Sequence, residues 1–275
     1  MTVWICLACA VEHPDTVEPP ALCRICSDER QYVPLAGQAW TSLPELAAAG
    51  TTLSIVAVEP DLFGINEHPS FGIGQRAHLV RTDAGNLLWD PTGFVDEAGA
   101  AAVLELGPVA AIVASHPHMF GVQVEWSRAL GGVPILVSAA DREWVQRPDD
   151  AIRFIDSDDH LILPGITLRT IGGHFPGSLL AYWSAGAEGR GVVLAGDTIF
   201  PGQDGKWVSF ARSFPNHIPL SGAVVDRVAN AAIAYPFDRL YGNFGWVIPT
   251  DASAIVRRSA DRHMAWVRGD FDAQT

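Results

Sequence analysis

The chain has 275 residues, 48% of them hydrophobic and 18% charged, which is enough apolar material for a sizeable α/β core. Its 18 basic and 31 acidic residues leave a formal charge of −13, which argues against binding to nucleic acid or an anionic membrane, where a basic face is wanted. No apolar run reaches membrane-spanning length, and the first residues hold no basic stretch followed by an apolar run. A soluble chain in the cytoplasm is therefore expected, with the oligomeric state open, a homodimer included.

All four cysteines lie in the first 26 residues, as Cys6-Leu7-Ala8-Cys9 and Cys23-Arg24-Ile25-Cys26, with thirteen residues between the pairs. Each CxxC turn points two thiolates at one centre, so the two together supply four sulfurs in tetrahedral array, the ligand set of a structural zinc or a single iron. Two disulfides, or four plain buried cysteines, are the alternatives. Clustered pairs in an intracellular chain favour metal, which makes residues 1–34 a zinc-ribbon segment. Residues 35–275 are expected to form the main domain.

A linker and a short helix around Ser42–Leu46 follow. Strands are expected at 53–58, 77–82 and 86–90, the last two joined at Asp83-Ala84-Gly85-Asn86. A helix near 97–106 leads to a strand at 110–114, a helix at 122–130, a strand at 134–138 and a helix at 140–147. Further strands are expected at 152–155, 160–171, 178–184, 191–195 and 238–241. Helices at 220–234 and 250–268 close the chain. Strand clusters each followed by helices suggest two mixed sheets face to face, with helices outside.

Three segments carry candidate chemistry. Ser115-His116-Pro117-His118 follows a buried strand, so its two imidazoles have a rigid support from which to reach one ion, although such a pair is often only a surface turn. Gly172-Gly173-His174-Phe175-Pro176-Gly177-Ser178 sets a histidine in a glycine-rich turn. Leu194-Ala195-Gly196-Asp197-Thr198 ends a buried strand on an aspartate, whose charge needs a cation or several donors.

Taken in order, these segments resemble the metallo-β-lactamase fold superfamily. Asn86 to Gly93 is similar to its first motif, a strand ending in aspartate (Asp90) before a glycine turn. Ser115 to Gly121 resembles the HxHxDH motif, Gly173 to Ser178 the GHTPGS-type motif, and Gly196-Asp197 the fourth. The resemblance implies an α/β fold of the αββα sandwich type over roughly 50–250. It also implies a first metal site of His116, His118 and His174, with Asp197 as the usual bridging ligand and Asp90 bracing the site without ligating.

The chain departs from the family where Phe120-Gly121 replaces Asp-His, and where Asn243 stands near the expected last histidine. The second-site donors are missing. The resemblance thus implies one Zn, Fe or Mn ion at the three-histidine, one-aspartate site, beside one Zn or Fe at the four cysteines. It also implies a metal-dependent hydrolase in which a single metal-activated water attacks an ester, lactone, thioester or amide-type small molecule, with Asp197 as the candidate proton acceptor.

Two other readings stand beside it. The paired knuckles with Trp4 and Tyr32 also resemble rubredoxin, which suggests a redox protein, and a noncatalytic scaffold of the same fold is the second alternative. Phe120, Asn243 and His217 are candidate pocket residues, and Trp126, Trp183, Trp207 and Phe244 are aromatics with a core or pocket role. Glu125 is a candidate proton carrier or part of a solvated helix face. His68, His78 and His263 have no partner motif, and Gly72-Ile73-Gly74-Gln75 is not a dinucleotide fingerprint.

Overall fold

A computed structural model describes residues 1–275, and its contacts divide the chain into two compact units, Met1–Asp156 and Ser157–Thr275. The ribbon lies in the first. Its three-stranded sheet pairs Thr2–Cys6 with Glu12–Thr16 on one side and with Trp40–Thr41 on the other. That third strand comes from beyond residue 34, so the ribbon reaches past the boundary expected for it.

The first unit also holds a seven-stranded mixed sheet. Its order is Ile152–Ile155, Ile135–Ser138, Val109–Val113, Asn86–Trp89, Ala77–Val80, Leu62–His68 and Thr52–Glu59. The first four run parallel, and the last three are added as antiparallel hairpins. Asn86–Trp89 and Val109–Val113 are almost wholly buried, as central parallel strands should be. Helices return the chain between them. Glu97–Glu105 starts on Asp96, whose carboxylate accepts the Gly99 N–H at 2.8 Å, a standard N-cap.

The second unit is built on a six-stranded sheet, Asp159–Leu163, Ile166–Thr170, Leu179–Trp183, Val192–Ala195, Arg239–Tyr241 and Val247–Ile248. Helices Gly222–Ala232 and Ala252–Arg268 bury Val225, Val228, Ala229, Val256 and Ala260 in one apolar cluster with Leu180, Val193 and Leu240.

Some expectations change. The expected strand at 160–171 is two strands, folded back as a hairpin at Pro164-Gly165, where Gly165 has φ +82°. The expected helix at 140–147 is a 3-10 helix, Ala139–Trp144. Leu62–His68 is an unexpected inner strand, paired on both sides. Its Asn66, Glu67 and His68 hide the apolar alternation.

Candidate metal centres

In the first unit the four cysteines are buried, unbridged and clustered. Cys6 Sγ lies 3.6 Å from Cys26 Sγ, and Cys9 Sγ lies 3.8 Å from Cys23 Sγ. A tetrahedron of metal–sulfur bonds of about 2.3 Å has edges of about 3.8 Å, so the array fits one ion and not two disulfides. Gln38 Nε2–H donates to Cys6 Sγ at 3.1 Å, while Gln38 Oε1 accepts the Cys23 N–H. Hydrogen bonds from Cys26, Cys6 and Cys9 hold the Cys23 thiol far below its ordinary range, and His13 adds to the effect. The same contacts push the Cys9 and Cys26 thiols up, so the four crowded sulfurs share protons that a cation would displace.

The strand Asn86–Trp89 ends at Asp90, whose φ of +54° turns the chain sharply. The fully buried Asp90 carboxylate accepts the Ser115 N–H at 2.5 Å, tying it to the end of the neighbouring strand Val109–Val113. Directly beyond lie His116 and His118, buried, with ring centroids 5.1 Å apart. Ser115 Oγ is 2.9 Å from His116 Nδ1, which leaves Nε2 as the nitrogen for a ligand.

The next residues explain the missing second-site donors. Gly121 has φ +51°, and a Cβ there would sit 2.3 Å from Pro91 O and 2.5 Å from Thr92 O. No side chain fits, a histidine least of all. Phe120 is fully enclosed.

In the second unit His174 and Asp197 come from adjacent strand ends. Gly173, at φ +92°, lets the turns approach, since a Cβ there would meet Thr198 Cγ2 at 2.8 Å. Thr198 Oγ1 donates to Gly172 O at 3.1 Å and accepts the His174 N–H at 3.4 Å. His174 Nδ1 lies 3.1 Å from Ala211 O. A carbonyl only accepts, so Nδ1 carries a proton and Nε2 is the nitrogen left to face a ligand. That Nε2 is 4.0 Å from Asp197 Oδ2, both groups being buried. The distance is beyond a hydrogen bond and somewhat wider than two ligands of one tetrahedral ion.

Beside His174 stand aromatic rings. Phe214 lies 5.9 Å from it, and Phe200 contacts Phe214, Phe244 and Trp246 at 4.6, 5.6 and 5.3 Å. Asn243 is buried, and His217 is exposed in the turn between Ala211–Ser213 and Ile218–Pro219.

The other candidates have structural partners. Glu125 accepts from Arg147 and Arg128 at 2.6 and 3.1 Å. His68 meets Ser54 Oγ at 2.8 Å, and His263 Nε2 meets Leu220 O at 2.8 Å. Burial, aided by Arg76, pushes the His78 pKa down to about 3. Trp126 and Trp183 are buried, and Trp207 lies against Arg258 and Arg262. Glu12, Arg147, Thr198, Ala211, Phe200, Phe214 and Trp246 carry parts of these sites without a sequence signal, except that Thr198 adjoins the Gly196-Asp197 motif.

The chain matches the metallo-beta-lactamase superfamily over residues 72–262 and belongs to it. It is 41% identical over 265 residues, 96% of each chain, to the uncharacterized protein YmaE of Bacillus subtilis (strain 168). Among solved structures it is similar to a metallo-β-lactamase of Cronobacter sakazakii with an HARLDQ motif. That likeness has a TM-score of 0.52 and 17% identity, covering 80% of this chain and 95% of that one. It is also similar to FIM-1 of Pseudomonas aeruginosa in its mono-zinc form, with a TM-score of 0.56 and 14% identity, covering 77% and 96%. These likenesses show the metallo-β-lactamase fold. The superfamily match begins downstream of the four cysteines. No helix is long and apolar enough to cross a membrane.

Proposed function

We propose that this chain is a metal-dependent hydrolase in which His116, His118, His174 and Asp197 hold one Zn, Fe or Mn ion, while Cys6, Cys9, Cys23 and Cys26 hold a separate structural Zn or Fe. The observation that carries the reading is His174. Its Nδ1–H is committed to Ala211 O, so its Nε2 is the nitrogen that faces the buried Asp197 carboxylate, at 4.0 Å. A buried imidazole nitrogen and a buried carboxylate that face each other beyond hydrogen-bond distance are two donors that a cation between them would join. Membership of the superfamily supports joining this pair to His116 and His118 in one site.

An ion held there would supply Lewis acidity toward a water and a carbonyl oxygen. The chain's own residues do the rest. Asp90 fixes the start of the histidine loop through Ser115 N–H, and Ala211 fixes the His174 tautomer. Asp197 accepts a proton from the attacking water. As the water oxygen bonds to the carbonyl carbon and the bond to the leaving group breaks, that proton passes to the departing oxygen, sulfur or nitrogen. The rings of Phe200, Phe214, Phe244 and Trp246 offer an apolar wall near His174. They favour an uncharged acyl group on an ester, lactone, thioester or amide. One ion is proposed because Gly121 has no room for a second-site side chain.

The test is metal analysis together with turnover on an ester and lactone panel. Unaltered protein should hold close to two ions per chain. His118→Ala should lose one ion and all turnover. Asp197→Asn, even with excess metal, should fall by about two to four orders of magnitude if Asp197 takes the proton. Full activity in His118→Ala would sink the hydrolase reading and leave a noncatalytic scaffold.

A further inference from the structure

The ribbon is built against the loop that carries the two histidines, and both lie in the same unit. The Cys6–Cys9 knuckle closes with the Ala10 N–H on Cys6 O at 2.8 Å, and Ala10 takes a left-handed φ of +63°. Its methyl then meets two glycines of the main domain. A Cβ on Gly93 would lie 2.3 Å from Ala10 Cβ, and one on Gly72 would lie 2.7 Å from it. The ribbon thus touches backbone directly at the turn that follows Asp90.

Two residues further on, Glu12 makes three connections to the histidine segment and its support. Its N–H donates to Gly121 O at 3.0 Å. Its Oε1 accepts the Val124 N–H at 2.6 Å, and its Oε2 accepts from Arg147 Nη1 at 2.6 Å. The Glu12 and Arg147 side chains are 2% and 7% exposed, so water does not weaken the pair. Gly121 also holds the other side of the turn, because the adjacent Val122 N–H donates to Thr92 O at 3.0 Å. A second anchor fixes the ribbon's far knuckle: Arg24 donates to Glu143 O, and Arg24 and Arg30 lie 5.0 and 5.1 Å from the Trp144 ring.

We infer that the ribbon is a positioning module for the histidine site. Its metal sets the Cys6–Val11 turn, and Glu12, next in the chain, holds Gly121 and Val124 so that the intervening loop presents His116 and His118 to one ion. Glu12 is the positioning residue, acting through backbone and never touching substrate. A buried carboxylate would be an expensive way to fasten a ribbon alone, since an apolar contact would fasten it as well. Its N–H and its carboxylate together reach the two points that define the end of the histidine loop, Gly121 and Val124. The inference rests on His116 and His118 being ligands, and the experiment separates the two.

The full chain is loaded with Co²⁺, whose thiolate charge-transfer bands report the cysteine site and whose visible d–d bands report the histidine site. Glu12→Ala should keep the cysteine bands while the histidine-site affinity falls about 10–100-fold, the size expected when a ligand's support is removed. Glu12→Gln, which still accepts the Val124 N–H, should recover most of that loss; a purely structural staple would move the melting temperature and leave the affinity alone. Two Co²⁺ ions bound with unchanged affinity in Glu12→Ala would overturn this inference and leave the site reading intact. A single Co²⁺ in the unaltered protein, at the thiolates only, would overturn both. Should Glu12→Ala not fold, hydrogen exchange on the unaltered protein decides: removing the ribbon metal must speed exchange at Val124 and through 115–119, and unchanged exchange there refutes the coupling.

Discussion

Glu67 gives a sharp test of the packing beneath the Asp90 turn. It is buried on the strand Leu62–His68, and burial raises its pKa from an ordinary 4.5 to about 8. The Gly93 and Phe94 amides pull in the other direction, yet neither makes a full hydrogen bond to the carboxylate. Well below pH 4.5 the group is neutral in folded and unfolded chains alike and adds no pH dependence. Between 4.5 and about 8 the unfolded chain gives up a proton that the folded chain keeps, so stability falls as pH rises and levels off above 8. At about 1.4 kcal/mol per pH unit the full span approaches 5 kcal/mol. A cavity of about 360 Å³ beside Glu67, Ser70 and Gln75 eases the burial, which brings the expected effect to about 3–5 kcal/mol.

Glu67→Gln keeps the shape and removes the titration. Denaturant unfolding at half-unit steps from pH 5 to 9 should show the two proteins converging near pH 5. The variant should be the more stable by about 3 kcal/mol or more at pH 8 to 9. Glu12, raised to about 7 by burial against the pull of Arg147, slopes the same way in both proteins and cancels in the difference. A constant difference across the range would refute the reasoning, because the carboxyl would then have the same pKa folded and unfolded.

Cys9→Ser should lose one metal equivalent and make residues 1–34 protease-sensitive, because ribbon folding and metal binding are linked; an unchanged metal count and digestion pattern would rule this out. Gly121→His should not create a second metal site. It should lower the melting temperature by several degrees, since a left-handed φ costs a side chain about 1–2 kcal/mol before the Pro91 and Thr92 oxygens are displaced, and a third bound ion in a stable variant would contradict the close packing at Gly121.

The chemistry was legible in the sequence wherever a short motif coincides with a strand end. The CxxC pairs, Ser115 to His118, Gly173 to Ser178 and Gly196-Asp197 each combine a ligand type with the turn that aims it, and such signals are local. The apolar strands 86–89, 109–113 and 192–195 were legible for the same reason. Leu62–His68 was not, because its polar Asn66, Glu67 and His68 are placed by pairing on both sides and not by alternation. The hairpin at Pro164-Gly165 was marked by a turn dipeptide, but the apolar residues around it read as one run. Least visible were the long-range supports. Glu12 meets residues 112 and 135 positions away, and His174 finds Ala211 across 37. No window of sequence contains both ends of such a bond.

Gly121 links the histidine site to the ribbon. In the superfamily pattern its place belongs to a histidine of the second metal site, which needs a side chain and a backbone relaxed enough to carry one. Here the same residue lies against Pro91 O and Thr92 O and gives its carbonyl to the ribbon's Glu12. The first contact forbids a Cβ, and the second fixes the peptide that would have to move to admit one. Docking the ribbon in this register and carrying a histidine at position 121 are therefore exclusive on steric grounds. The proposed single-metal site and the ribbon that braces it are two consequences of one close backbone approach.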